Sequence, residues 1–176
     1  MAPMIETPLP AQVPLGEALK RTRPFRSPAH EASLALLRAA DALRRVMGQV
    51  VGAEGVTLQQ YNVLRILRGA GEEGLPTLAV GERMIERTPG VTRLLDRLEQ
   101  AGMVDRHRCL ADRRRVWARI TPEGLGVLEA LDGPVARAEE EAFEGVDPAA
   151  LAAAVAVLAH LWSREDALQS SGDSEV

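Results

Sequence analysis

Apolar residues recur along this chain at helical spacing in successive blocks, and only one short stretch alternates in the manner of strands. Ser27-Pro28 combines a cap with a first-position proline, Glu31 adds an acid to the first turn, and Leu34, Leu37, Val46, Met47 and Val50 share one broad face until Gly52 and Gly55. The spacing predicts a long first helix there. Leu58, Tyr61, Leu64 and Leu67 predict a shorter one between the Thr57 cap and Gly69-Ala70-Gly71. Leu75-Pro76-Thr77 opens a third helix of roughly two turns ending near Ile85, and Thr88-Pro89 opens a fourth with its own cap and proline. In the fourth, Val91, Leu94, Leu95 and Leu98 point one way, Gly90, Thr92, Arg93 and Arg97 are left on or near the other face, and Gly102 stops the helix. Two short helices with a brief link are the pattern of a helix-turn-helix.

Beyond Gly102 the period changes. Met103 to Arg108 and Val116 to Ile120 read as strands flanking a polar connection, Cys109 to Arg115, which makes a β-hairpin wing. Thr121-Pro122-Glu123 starts another helix, striped by Leu128, Leu131, Val135, Ala138 and Ala142, in which Pro134 removes one backbone donor and is expected to kink it. Asp147-Pro148 starts the last, where Leu151, Val155, Leu158 and Trp162 form a seam and alanine fills most other faces. A helix apolar nearly all round needs cover, and a second copy of the chain is the simplest cover. The expected fold is therefore mainly α (α+β): a winged helix-turn-helix over 57–121 with N- and C-terminal dimerisation helices over 28–56 and 122–168. Residues 1–27, with four prolines in the first fourteen, read as an extended arm with a short helix over Leu15 to Arg21, and 169–176 as a disordered tail.

Composition narrows the class. Among 176 residues hydrophobic types make up 46% but aromatics only 3%, so the core is built from Leu, Val and Ala, which suits helices. One cysteine, no leader pattern and no apolar run long enough to span a bilayer point to a cytoplasmic protein without a membrane partner. The net charge of −4 hides a polarity: +1 over residues 1–82, +5 over 83–119 and −10 over 123–176. A basic middle on an acidic body fits a DNA-reading module.

Within that module the candidate DNA contacts are Thr88, Pro89, Gly90, Thr92, Arg93 and Arg97 on the fourth helix, and Asp112, Arg113 and Arg114 on the wing. The helix N-terminus offers free amides and the positive dipole end to a phosphate, with Thr88 and Gly90 allowing close approach. Arg93 can fork onto guanine, and Thr92 can meet a thymine methyl or a phosphate. A wing arginine can enter a narrow minor groove, with Asp112 orienting a neighbouring arginine. Arg44, Arg45 and Arg65 are candidate cations for an anion. Cys109 beside His107 and Arg108 reads first as a small strand-end residue and second as a candidate reactive thiol. His30, His107 and His160 are scattered, so no metal site is expected, and no nucleophile elbow or phosphate loop suggests an enzyme or a cofactor.

The run Arg87-Thr88-Pro89-Gly90-Val91-Thr92-Arg93-Leu94-Leu95-Asp96-Arg97-Leu98-Glu99, then Gly102-Met103-Val104, Asp112-Arg113-Arg114 and Ile120-Thr121-Pro122-Glu123-Gly124, resembles the core signature of MarR-family regulators. The resemblance covers roughly residues 28–165. It implies a homodimer on double-stranded DNA with a palindromic operator, with recognition helices in successive major grooves and Arg114 as the wing arginine that enters the minor groove. It also implies a small anionic or phenolic effector held between dimerisation helices and DNA-binding lobe, and hence a ligand-responsive repressor. The competing reading is a helical protein-interaction module that keeps the fold without DNA binding.

Overall fold

The computed structural model describes residues 13–86, 90–108 and 116–172, which divide into two units, one over residues 25–142 and one joining the N-terminal segment to residues from Phe143 onward. In the larger unit α2 (Pro28–Gly52) starts where the serine and proline place it, with the Ser27 hydroxyl accepting from the His30 amide at 3.1 Å. Next, α3 (Leu58–Ala70) is closed by a capping box in which Thr57 and Gln60 each satisfy the other's amide, at 3.2 and 2.9 Å.

The third helix departs from expectation. Leu75–Pro76 is not helical lead-in but a two-residue strand, β1, and α4 spans only Thr77–Glu82. The reason is pairing: Leu75 and Pro76 sit opposite Ala118 and Trp117 on β3 (Val116–Ile120), and the Thr77 hydroxyl donates to the Val116 carbonyl at 3.1 Å. Gly74 makes the approach possible, since it has φ +71° and a Cβ there would lie 2.2 Å from the Ala118 oxygen. The recognition helix α5 runs Val91–Gln100 with Gly90 as its N-cap at φ +118°, two residues later than a Thr88 cap would place it.

β2 (Val104–Arg108) pairs with β3 in the register Val104↔Ile120 to Arg108↔Val116, giving the sheet order β1-β3-β2. The two strands expected of the wing are thus present, with a third added. α6 (Pro122–Ala142) continues through Pro134 as a single helix.

The core joins Met47 and Val51 of α2, Tyr61, Leu64 and Leu67 of α3, Val80 of α4, Leu94, Leu95 and Leu98 of α5, Val104, Ala118, and Leu128, Leu131 and Val135 of α6. Two stripe assignments need correction. Leu37 and Val46 of α2 remain 65% and 43% exposed, whereas Met47 of the same stripe is buried together with Val51, one residue beyond the expected Val50. Ala142 is exposed at the end of α6.

In the other unit α1 is one turn, Leu15–Ala18, shorter than the segment to Arg21, and Lys20 has the only positive φ outside glycine among the described residues. α7 runs Pro148–Gly172, past the boundary expected at 168. Val155, Val157, Leu161 and Trp162 along it are exposed. Among the described residues no helix is long and apolar enough to cross a membrane.

Candidate nucleic-acid interface

The helix-turn-helix is α4 and α5, and its outward face follows from how α5 is held. Leu95 and Leu98 are fully buried and Leu94 nearly so, which fixes the rotation of the helix and turns Thr92, Arg93 and Arg97 to solvent. Gly90 closes the head of α5 through its carbonyl, which accepts from the amides of Arg93 and Leu94 at 2.8 and 3.2 Å, and offers no side chain of its own. A left-handed cap of this kind favours glycine, so a hydroxyl residue at position 90 would add strain.

Two acids, Asp96 and Glu99, lie among these cations. Both are engaged by Arg106, which reaches from β2: its Nε donates to Glu99 at 2.9 Å, its Nη2 donates to the same oxygen, and Nη2 lies 2.7 Å from Asp96. The hydrogen bond to Glu99, helped by Asp96, holds the Arg106 guanidinium above the ordinary arginine value in spite of partial burial, which acts the other way. The pairing fixes the wing strand to the recognition helix and offsets one of the two carboxylate charges that lie among its cations. Arg106 is not among the residues that sequence reasoning singles out. The available signal is its place in β2, where the alternation that buries Val104 sends Arg106 to the same face, at 20% exposure.

Elsewhere in the wing Arg119 and Asp105 pair across the strands at 3.2 Å, and His107 stacks on Trp117 with ring centroids 6.5 Å apart. The indole nitrogen of Trp117 is buried with no partner among the described residues. The structure brings Gly90, Thr92, Arg93 and Arg97 together at the exposed side of α5; Thr88, Pro89, Asp112, Arg113, Arg114 and Cys109 lie outside the described residues.

Within the same unit, a cleft of about 480 Å³ opens between α2, α3, α6 and the segment Met84–Glu86 that precedes the recognition helix in sequence. Its walls are largely apolar, with Leu43, Met47 and Tyr61 among them. Arg44 and Arg65 both line it, whereas Arg45 lies outside and pairs with Asp41 at 2.7 Å. Arg44 Nε donates to Glu86 at 2.7 Å; Arg65 donates to the Tyr61 hydroxyl at 2.9 Å and lies 5.7 Å from that ring's centroid. Asn62 accepts from the Ile85 amide at 3.1 Å. Among the described residues no group of three or more His, Cys, Asp or Glu is placed to hold a metal.

A family model described as the MarR family matches residues 56–116, which spans α3 through the start of β3. The HTH-type transcriptional regulator FarR of Neisseria gonorrhoeae is 30% identical over 147 residues, 84% of this chain and 99% of its own length. A MarR transcription factor from Planctomyces limnophilus has a solved structure that is 33% identical, with a TM-score of 0.60 over 82% of this chain and 99% of its own. The PcaV transcriptional regulator from Streptomyces coelicolor, solved in complex with its natural ligand, is 28% identical, with a TM-score of 0.65 over 78% of this chain and 93% of its own. Likeness over nearly the full length of these relatives, on a helix-turn-helix with a paired wing, means that this chain belongs to the MarR family of winged-helix transcription regulators.

Proposed function

We propose that this protein acts as a homodimer on a palindromic operator and represses transcription until a small anionic or phenolic effector enters the cleft between α2, α3 and α6. The observation that carries the DNA-binding half is the exposed row Thr92, Arg93 and Arg97 on a helix whose opposite face is locked in the core and whose two acids are both engaged by Arg106. In this reading Arg93 forks onto a guanine in the major groove, while Thr92 and Arg97 meet the thymine methyl or flanking phosphates. The head of α5, with Thr88, Pro89 and Gly90, approaches a phosphate, and Arg114 of the wing enters the minor groove beside Arg113 and Asp112. The exposed apolar residues of α2 and of α7 support dimerisation through the terminal helices over 28–56 and 122–168. An apolar cleft holding two arginines supports the effector, and PcaV supplies a ligand-bound relative. Repression is the simplest output of a dimer that covers its operator when the cleft is empty.

The test is a selected duplex. Protein incubated with a random-sequence pool should retain a palindrome whose half-sites are centred about 10–10.5 base pairs apart. Arg93→Ala should lose base preference, and Arg114→Ala should weaken binding to many sequences and flatten its salt dependence. No retained duplex at low ionic strength would return the chain to the helical interaction module.

A further inference from the structure

Glu86 occupies a particular place in the cleft. Its carboxylate reaches back 42 residues in sequence to the Arg44 guanidinium at 2.7 Å and sits 3.5 Å from the Gln59 amide nitrogen, so a carboxylate of the protein itself occupies one of the two arginines that line a largely apolar cleft. The same short segment is tied a second time, by the Ile85 amide on Asn62, and it leads within five residues to the first turn of α5. Among the described residues two arginines and two glutamates, Glu86 and Glu139, line the cleft, so those four charges cancel. An incoming carboxylate has two choices. It can sit at Arg65, which makes no ion pair among the described residues, and leave Glu86 in place. Or it can take Arg44 from Glu86, a like-for-like exchange that buries no new uncompensated charge.

We propose that the Arg44–Glu86 pair is a latch in which Glu86 stands in for the effector's carboxylate, so that an aromatic carboxylate displaces it and frees the segment before α5, whereas a neutral isostere leaves it closed. This rests on the effector reading above and adds a charge rule to it. Occupation and release become one event, and by linkage whatever opens the latch must both favour the effector and disfavour the operator-bound state. Glu86 is also an internal competitor at high effective concentration, so its removal exposes Arg44 to outside anions.

One substitution separates this from a merely structural role, because its two effects have opposite signs. In calorimetry with benzoate as probe, Glu86→Gln should bind about fivefold more tightly than wild type, a factor set by the modest worth of a half-exposed pair, while the same variant holds a selected duplex a few-fold more weakly. Benzoate should weaken the wild-type duplex complex and leave that of Glu86→Gln nearly unchanged; benzyl alcohol should weaken neither. Arg44→Gln should lose benzoate binding. The proposal is overturned if Glu86→Gln binds benzoate no more tightly than wild type, as it would were the carboxylate seated at Arg65. It is equally overturned if benzoate and benzyl alcohol act alike, or if neither protein binds benzoate at millimolar concentration. Should wild type retain no duplex at all, the DNA-binding reading fails by itself, and the benzoate affinities of the two proteins still decide the latch.

Discussion

Two glycines two residues apart at the start of α6 should respond to alanine with opposite signs. At Gly124 an added Cβ would lie 2.4 Å from the Met103 carbonyl oxygen and 2.8 Å from Ile120 Cγ1. The first distance is about 0.6 Å short of the 3.0 Å that real Cβ atoms keep, and its partner is backbone, which cannot swing aside. The head of α6 must therefore back away from the wing. That movement strains the amide of Thr121 on the Met103 carbonyl at 3.1 Å and the Thr121 hydroxyl on the Gly102 carbonyl at 2.7 Å. Overpacking of this kind costs about 1–3 kcal/mol, and with a backbone oxygen as the obstacle about 2–3 kcal/mol applies; the better helix propensity of alanine returns about 0.5–1 kcal/mol, so Gly124→Ala should destabilise by about 1–2.5 kcal/mol. Gly126 is exposed and a methyl group added there would meet nothing within 4 Å, so Gly126→Ala should stabilise by about 0.5–1 kcal/mol through propensity alone. Thermal or urea unfolding at one fixed protein concentration reads both, with midpoints moving about 2–4 °C per kcal/mol for a chain of this size. If both variants shift the same way, packing of α6 on the wing does not explain why glycine stands at 124.

Other consequences of the same contacts can be measured directly. Leu95→Ala empties a fully buried position beneath the recognition helix and should cost about 2–5 kcal/mol in urea unfolding; a loss under about 1 kcal/mol would mean that α5 is not anchored there. Arg106→Ala should cost only about 1 kcal/mol of stability, because both carboxylates are some 40% exposed, yet weaken duplex binding more at low salt than at high, since Asp96 and Glu99 are left uncompensated. Arg106→Lys, which keeps the charge but not the fork, should fall between the two proteins. Asp132 accepts from Arg68 in a two-pronged bond at 2.8 and 3.0 Å, which holds its carboxyl below the ordinary value of 3.8. A depressed carboxyl contributes stability that is present above that value and is lost as pH falls through the lower folded one. Asp132→Asn should therefore be less stable at neutral pH and lose less than wild type on acidification, and parallel pH profiles would refute the assignment.

Much of this architecture was legible because punctuation and period agreed. Ser27-Pro28, Thr57, Thr121-Pro122 and Asp147-Pro148 each open a helix where local chemistry places them, and the inward residues of α5 are those that the 3.6-residue period selects. The departures have a common cause, which is that tertiary pairing decided them. Leu75-Pro76 carries a helix-start signal yet is drawn into a strand because Gly74 lets it lie against Ala118, a contact more than forty residues away in sequence. Of the face expected for α2 only Met47 is buried, joined by Val51, while Val46 and Leu37 stay exposed, because α3 and α6 approach α2 from a direction that periodicity within α2 does not encode. For the site, the outward cations of α5 could be read from its stripe; strand alternation places Arg106 on the inward face of β2 without naming its partners, and Glu86 carries no such signal, since each acts through a partner on another element.

Those two residues hold opposite ends of the recognition helix, and this bears on how an effector could act. The C-terminal half of α5 is joined to the wing by Arg106 on Asp96 and Glu99, and to the core by Leu95 and Leu98. The segment before its N-terminus is held instead by Asn62 and, through Glu86, by Arg44, all at the margin of the cleft. A charge placed in the cleft thus meets the lead-in to the helix and not its anchored half. The exchange it would need involves half-exposed groups, which makes it a change of a few-fold in affinity and not an all-or-none collapse. Disrupting both ends tests the separation: Arg106 engages Asp96 and Glu99, whereas Glu86 engages Arg44 and Gln59, so the effects of Arg106→Ala and Glu86→Gln on duplex affinity should multiply. A double variant departing from that product by more than about twofold would show the two ends to be coupled.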